Sequence, residues 1–269
     1  MPGPIFNRFL SVIALLLLAA AWQGSTEAQT TIISGDQLVE AAEAVSKFMP
    51  RDQFDAAPAG PAWAGQRFTY TVKPVNWSSG TLPCSGMPTW SYREGMLSIS
   101  ASSAFINPSA ISGQFGRPAS GKRKADFMVD LNLYSITCRQ DPVQTIEASN
   151  AFGAKLAVAQ WSDHAIGVID TSQYTTKWRV YWNGAVEGPV ARDLTNHLAV
   201  RVSGALQAWP NGRTIMCGIE HRGPRISSPT DLTLEVCAYS GRPDTIEFVN
   251  AATGQTIYEV RREPLFGQP

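Results

Sequence analysis

From residue 66 onward, the chain contains short runs in which apolar residues alternate with polar ones. A period of two is typical of strands that bury one face, and glycine, proline, asparagine and aspartate separate the runs as turn residues do. The apolar positions of these runs are Phe68, Tyr70, Val72, Leu97, Ile99, Phe127, Val129, Leu131, Leu133, Leu156, Val158, Trp178, Val180, Trp182, Leu198, Val200, Val202, Leu232, Leu234, Val236, Ile246, Phe248, Ile257 and Val260. The pattern predicts a mostly β fold.

One earlier segment has helical spacing instead. Ser34 and Gln37 fit a capping box, in which each side chain bonds to the backbone N–H of the other residue. Apolar residues then follow three and four positions apart, at Leu38, Val39, Ala42, Val45 and Phe48 or Met49. Pro50 would stop the helix because it has no N–H. We therefore expect one N-terminal helix over residues 36–49.

The chain also contains an internal repeat, because residues 130–156 resemble residues 231–257 when short gaps are allowed. The matching positions are Asp130 with Asp231, Leu131 with Leu232, Leu133 with Leu234, Cys138 with Cys237, Thr145 with Thr245, Ile146 with Ile246, Glu147 with Glu247, Asn150 with Asn250, Ala151 with Ala251 and Gly153 with Gly254. Upstream, Trp77 precedes Cys84 as Trp209 precedes Cys217. Agreement at this many positions indicates a duplication.

The repeat predicts how each half is built. A strand that carries a cysteine is followed by a loop, a Thr-Ile-Glu strand and a turn at Asn-Ala-x-Gly, since Asn and Gly tolerate positive φ. Two related disulfide-bearing β repeats would then pack as a sandwich or as antiparallel sheets. Residues 86–125 are an insert in the first repeat, and residues 162–193 join the halves through a candidate hairpin that ends at Asn183-Gly184.

These features set the expected boundaries along the chain. They are 1–28 for a signal peptide, 29–65 for the N-terminal helix and a connector, 66–161 for the first repeat with its insert, 162–193 for the linking hairpin, 194–262 for the second repeat and 263–269 for a C-terminal tail.

The first residues have the pattern of a secretory signal. Arg8 precedes an apolar run from Leu10 to Trp22, and Thr26-Glu27-Ala28 offers a small residue for cleavage after Ala28. The run is shorter than the roughly 20 residues that cross a bilayer, so an uncleaved anchor is the less favoured alternative. We expect a periplasmic or secreted protein with no transmembrane segment after cleavage.

The chain has four cysteines, at Cys84, Cys138, Cys217 and Cys237. In an exported chain, an even and widely spaced set predicts structural disulfides. If one bridged unit was duplicated, each copy should keep its own bridge. The repeat therefore predicts the pairs Cys84–Cys138 and Cys217–Cys237.

Charge argues against one class of partner. The chain has 22 Lys and Arg against 22 Asp and Glu, for a formal net charge of +0. A nucleic-acid-binding protein usually has a basic balance, so we expect no nucleic-acid partner. The basic run at residues 117–124 lies among Gly, Pro and Ser and is interpreted as a solvated loop.

No motif in the sequence predicts catalysis, a cofactor or a metal. The histidines are His164, His197 and His221. Strand alternation would send Asp163 and His164 to opposite faces, which disfavours a Ser-His-Asp triad. Glu220 and His221 with His197 lack metal-ligand spacing. We expect each histidine to be replaceable without loss of function.

Repeat-related side chains have structural interpretations. Glu147 and Glu247 are opposite in phase to their neighbouring isoleucines, so we expect both carboxylates to face solvent. Trp77 and Trp209 each precede a cysteine, and we expect both indoles to pack near a disulfide.

Trp178 and Trp182 are the candidate aromatic binding surface. They lie four residues apart on one predicted strand face, where they would serve either as core or as an exposed platform for a sugar or a peptide. The sequence thus favours a non-enzymatic binding or structural module whose partner is an unidentified protein or glycan of the cell envelope. A secreted hydrolase, or a small-ligand carrier with an aromatic-lined pocket, is the alternative.

Overall fold

In the computed structural model, the described residues form two β-sheets and two helices. These residues are 31–47, 60–77, 83–102, 104–106, 131–141, 144–149, 153, 155–171, 180–209, 211–224 and 229–262. In chain order the elements are β1 (Ile33–Ser34), α1 (Gly35–Ser46), β2 (Arg67–Val72), β3 (Val75–Asn76), β4 (Thr89–Arg93), β5 (Met96–Ser100), β6 (Ala104–Ile106), β7 (Leu131–Gln140), β8 (Gln144–Ser149), β9 (Lys155–Asp170), β10 (Tyr181–Ala185), α2 (Gly188–His197), β11 (Leu198–Leu206), β12 (Ile215–Arg222), β13 (Thr230–Asn250) and β14 (Thr256–Arg261). The mostly β prediction is confirmed. Within the same residues, no helix has both the length and the apolarity needed to cross a membrane. The predicted signal peptide lies outside the described residues.

Helix α1 begins at the predicted capping box. The Gln37 backbone N–H donates to Ser34 Oγ at 3.3 Å, and the Ser34 N–H donates to Gln37 Oε1 at 2.9 Å. Leu38, Ala42 and Val45 are buried on one face of the helix. The helix ends at Ser46, earlier than predicted, and residues 48–50 lie outside the described residues.

Strand β13 organises the larger, ten-stranded sheet. Its Gly241 lies opposite Leu206 of β11 and also opposite Asp170 of β9, so β11 and β9 occupy opposite edges of β13. Strand β12 continues along the β11 edge, and β14 continues along the β9 edge. Strand β9 runs parallel to β13, whereas the other three are antiparallel to it.

A buried ion pair closes the junction where β14 and β9 meet beside β13. The Arg262 guanidinium donates to both Asp170 oxygens, at 2.5 and 3.2 Å, and both side chains are buried. The Arg262 N–H also donates to the Asp244 carbonyl at 2.8 Å. Buried charged groups require charged or hydrogen-bonding partners, and at this junction Arg262 and Asp170 satisfy each other.

Two hairpins at repeat-equivalent positions have matching geometry. Strands β8 and β9 place Ile146 opposite Val158, while β13 and β14 place Ile246 opposite Val260. The hairpins turn near Gly153 and Gly254, which have φ of 79° and 73°. These values lie in the left-handed region that favours glycine, as the turn prediction requires.

The smaller sheet has the order β10-β5-β4-β3. Its strands β4 and β5 come from the predicted insert, and β10 comes from the predicted linker. Leu97 and Ile99 of β5 join Val200, Phe248 and the α1 side chains in one buried cluster. The two segments that break the repeat therefore combine to cover the larger sheet.

The prediction that a hairpin ends at Asn183-Gly184 is wrong. Both residues lie inside β10, opposite Ser98 and Leu97 of β5. A Cβ at Gly184 would stand 2.3 Å from the indole of Trp182. The glycine therefore makes room for a tryptophan ring, and no turn is needed to explain it.

Helix α2 was not predicted from the sequence, which indicated only an N-terminal helix. It starts after Glu187 without a side-chain cap, and its buried residues are Ala191 and Thr195. A small residue and a polar one do not form an apolar stripe, so the sequence of α2 lacks the apolar spacing that predicts a helix.

Candidate functional site

The candidate site is an open groove of about 510 Å³ between β10 and β14. Its lining residues are Val180, Tyr181, Trp182, Asn183, Tyr258 and Val260. Strand β10 is an edge of the smaller sheet, and β14 pairs only with β13 among the described strands. The groove therefore lies at the mouth between the two sheets.

Trp182 forms the inner wall of the groove. It lies opposite Ile99, which is buried, so its side chain points toward the core. Its indole packs against the core cluster and against the backbone of Gly184. These contacts hold the ring in place on the side away from solvent.

Two tyrosines form the more exposed walls. Tyr258 stacks on Phe248 with the ring centroids 6.0 Å apart. It is 37% exposed, and this exposed part lines the groove. Tyr181 is 63% exposed. Rings of this kind offer an apolar face and a polar end at low entropic cost.

The groove lining carries no charged side chain. Its polar side-chain groups are the Asn183 amide, the tyrosine hydroxyls and the indole N–H of Trp182. Such a surface suits an uncharged ligand with both apolar and hydrogen-bonding parts.

Of the two candidate tryptophans, Trp182 lines the groove, and Trp178 lies outside the described residues. Tyr181 adjoins Trp182 in the chain but was not among the candidate residues. Tyr258 could not be found from the sequence, because it comes from a distant strand and meets β10 only in the folded protein.

The disulfides follow the pairing that the repeat predicts. Cys84 is bonded to Cys138 with the Cα atoms 5.9 Å apart, and Cys217 is bonded to Cys237 with the Cα atoms 4.0 Å apart. Cys217 and Cys237 lie directly opposite each other on β12 and β13. All four sulfurs are therefore committed to structural bonds.

One group in the described part of the chain has metal-ligand spacing, and its chemistry does not suit a metal. It consists of Cys84, Cys138 and Asp163. The two sulfurs are bonded to each other, so they are not thiolates. The Asp163 carboxylate accepts from the backbone and hydroxyl of Ser85, at 2.8 and 2.7 Å, and from Gln140 at 2.9 Å. These contacts explain the buried carboxylate without an ion.

His164 lies between two carboxylates on the opposite face of β9. Its Nδ1 is 2.8 Å from Glu235 Oε2, and its Nε2 is 3.0 Å from Asp141 Oδ2. The hydrogen bond from His164 lowers the pKa of the Asp141 carboxyl, and the nearby Arg139 guanidinium contributes to the same shift. Asp163 and His164 thus point to opposite faces of the strand, as alternation predicts.

The other two histidines lie elsewhere. His221 is exposed, with its Nε2 3.3 Å from Asp231. His197 is exposed at the end of α2. The described structure brings neither of them to His164.

Burial raises the pKa of three tyrosine hydroxyls outside the groove, those of Tyr70, Tyr134 and Tyr239. A nearby tyrosine adds to the shift at Tyr70, and the Asp170 carboxylate adds to it at Tyr134. The Tyr239 hydroxyl donates to the Leu38 carbonyl at 2.7 Å and thereby ties β13 to α1. The Tyr70 hydroxyl likewise donates to the Tyr134 carbonyl, at 3.0 Å.

The expectation that both glutamates face solvent is half right, and the two tryptophans differ in burial. Trp209 is buried in a cluster with Cys138 alongside, but Trp77 is 51% exposed. Glu147 is exposed beside Lys155, but Glu247 is half-buried and accepts from Arg201 at 3.2 Å. In each pair the two equivalent residues have different neighbours.

Comparison with protein-family models, curated proteins and solved structures finds no match for this chain.

Proposed function

We propose that this protein is an exported, non-enzymatic binding module whose ligand site is the groove between β10 and β14. The observation that carries the proposal is the uncharged, aromatic lining of that groove at an open edge of the fold. Ligand sites typically combine aromatic walls with a few polar groups in this way. The groove is open, which suits a partner at the cell envelope better than a small molecule carried in an enclosed cavity.

Export is supported by two independent features. Two disulfides are typical of an oxidising compartment. The apolar run from Leu10 to Trp22, followed by Thr26-Glu27-Ala28, has the order of a signal peptide. The two together support a periplasmic or secreted location.

Duplication of a bridged β unit is part of the same proposal. The equivalent hairpins and the separate disulfide of each half support it. Another pair of sequence-matched positions also supports the duplication. Tyr70 and Val202 each stand seven residues before the repeat-equivalent tryptophan, and they lie directly opposite each other on β2 and β11.

The binding function is tested by mapping where ligands contact the protein. Soluble chito-oligosaccharides and a library of uncharged hexapeptides are titrated into isotopically labelled protein, and amide chemical shifts are followed by NMR. We expect the shifted amides to cluster at Val180–Asn183 and Tyr258–Val260. Binding that maps to another surface, or no binding by either probe, contradicts the proposal.

Two groove variants make the test specific. Gly184→Ala places a methyl group against the Trp182 ring and should displace it, while Tyr181→Ala removes an exposed wall. Gly223→Ala is the matched control, because a Cβ there has nothing within 4 Å. We expect both groove variants to weaken binding and the control to leave it unchanged.

A further inference from the structure

We infer that the partner is an extended, uncharged protein segment that adds as a strand to the free edge of β10. The inference rests on the proposed function and specifies the ligand class and binding mode of the same groove. Three observations support it: the orientation of the β10 backbone, the composition of that edge and the position of the groove beside it.

The ladder between β10 and β5 determines which backbone groups remain available. Ala101 donates to the Val180 carbonyl at 2.9 Å, and Val186 donates to the Gly95 carbonyl at 2.9 Å. Bonds in an antiparallel ladder recur at every second residue. The backbone groups of Trp182 and Gly184 therefore face β5, and those of Tyr181, Asn183 and Ala185 face the free edge. No strand in the described part of the chain pairs with that edge.

Edge strands usually carry features that prevent pairing with another chain, such as charged residues, proline or a bulge. Three of the other described edge strands with five or more residues contain charged residues: Glu147 in β8, Glu220 and Arg222 in β12, and Glu259 and Arg261 in β14. The register between β13 and β14 also shifts at Phe248 and Val249. Strand β10 reads Tyr-Trp-Asn-Gly-Ala and contains neither a charge nor a proline.

The groove lies where the side chains of an added strand would point. Alternate side chains of a strand beside β10 would face the same side as Trp182, toward Tyr258. The open surface of Tyr258 can take an apolar or aromatic side chain, and the uncharged lining disfavours a charged one. Main-chain bonds with side-chain pockets at alternate positions are the general mode of strand addition.

The first experiment uses the tightest-binding uncharged hexapeptide from the library as the probe. Each backbone nitrogen of the peptide is methylated in turn, which removes one donor at a time. We expect affinity to fall at every second position and to stay unchanged at the positions between. The fall should be about tenfold where a good hydrogen bond is lost.

The second experiment removes one edge-facing donor outside the groove lining. Ala185→Pro removes the N–H of Ala185, at the kind of position where edge strands tolerate proline. Ala185→Ser keeps that N–H and is the matched control. We expect the proline variant to lose peptide binding by about tenfold or more, and the serine variant to keep it within about twofold. If circular dichroism shows that Ala185→Pro does not fold, the methylated peptides alone decide, and a loss at every position or at none overturns strand addition.

The outcomes distinguish this inference from the proposed function. Oligosaccharide binding in the groove without peptide binding, unchanged in Ala185→Pro, overturns strand addition and leaves the binding module standing. Peptide binding without the period-two dependence also overturns strand addition. If neither probe contacts the groove, the proposed function fails with it.

Discussion

The two repeat-equivalent hairpins share a sequence pattern and a turn geometry, yet one is exposed and the other is buried. Ile146 on β8 is 39% exposed, whereas Ile246 on β13 is 1% exposed. The tryptophans differ in the same direction, since Trp77 is 51% exposed and Trp209 is 4% exposed. Residues at positions that match in sequence therefore differ in burial between the two hairpins.

The difference comes from the neighbours of each hairpin. Strand β8 pairs only with β9 in the described structure. The part of β13 that carries Ile246 pairs with β11 on one edge and β14 on the other. Its apolar side chains therefore lie over the core shared with the smaller sheet. Local sequence determines that a hairpin forms, and the surrounding strands determine how much stability each side chain contributes.

The largest expected effect separates the two tryptophans. Trp209→Ala should cost about 4 kcal/mol of unfolding free energy, because it leaves a cavity in a packed cluster. Trp77→Ala should cost about 1 kcal/mol, because half of the side chain is already solvated. Urea unfolding followed by circular dichroism measures both. Equal losses would contradict the comparison.

The disulfides test the same contrast. Loop closure alone gives about 4 kcal/mol for the bridge across 54 residues and about 3 kcal/mol for the bridge across 20. Cys217 and Cys237 are buried, whereas Cys84 and Cys138 are partly exposed, so replacing the first pair by alanine adds the larger cavity cost. We expect the Cys217→Ala/Cys237→Ala protein to be at least as destabilised as the Cys84→Ala/Cys138→Ala protein. A clearly larger loss of stability in the Cys84→Ala/Cys138→Ala protein would show that loop length contributes more than burial.

The isoleucines give a smaller and more local contrast. Ile246→Ala should destabilise the protein by about 3 kcal/mol, and Ile146→Ala by less than about 1 kcal/mol. Chemical denaturation of the two variants in parallel decides this. A matching loss at both sites would mean that β8 is covered in solution.

Alkaline pH tests whether the halves unfold together. Tyr70 and Tyr134 belong to the first half and Tyr239 to the second, and all three lie in the shared core. Burial raises their pKa in the folded state, so the unfolded state alone loses these protons above about pH 10. The stability they contribute is complete below that pH and falls as pH rises further. We expect one cooperative transition, with tyrosinate absorbance and circular dichroism changing together. Two separate transitions would show that the halves are independent.

The smallest expected difference in stability is between the ion pairs of Glu147 and Glu247. Lys155→Ala removes an exposed partner of Glu147 and should cost no more than about 0.5 kcal/mol. Arg201→Ala removes the charged donor of the half-buried Glu247, which keeps the Thr256 hydroxyl at 3.2 Å, and should cost about 1 kcal/mol. Added salt should reduce the first effect more than the second, because screening acts on exposed charges. Thermal unfolding at two salt concentrations measures this.

The sequence by itself determined the local elements. The capping box of α1, the alternation of the main strands, the glycine turns of the hairpins and the disulfide pairs each depend on residues or repeat positions that can be identified in the chain. Trp182, one of the two candidate aromatic residues, was identified in the same way. Period and turn chemistry are short-range properties, so a sequence displays them directly.

Tertiary structure alone decided the rest. It joined the insert and the linker into the smaller sheet, brought Tyr258 to Trp182, and turned Asn183-Gly184 from an expected turn into part of a strand. It also buried Ile246 while leaving Ile146 exposed. Each of these outcomes depends on which distant strands become neighbours. The free energy of burying apolar surface selects among such arrangements. It depends on which distant residues pack against a side chain, and the local sequence around that side chain does not specify them.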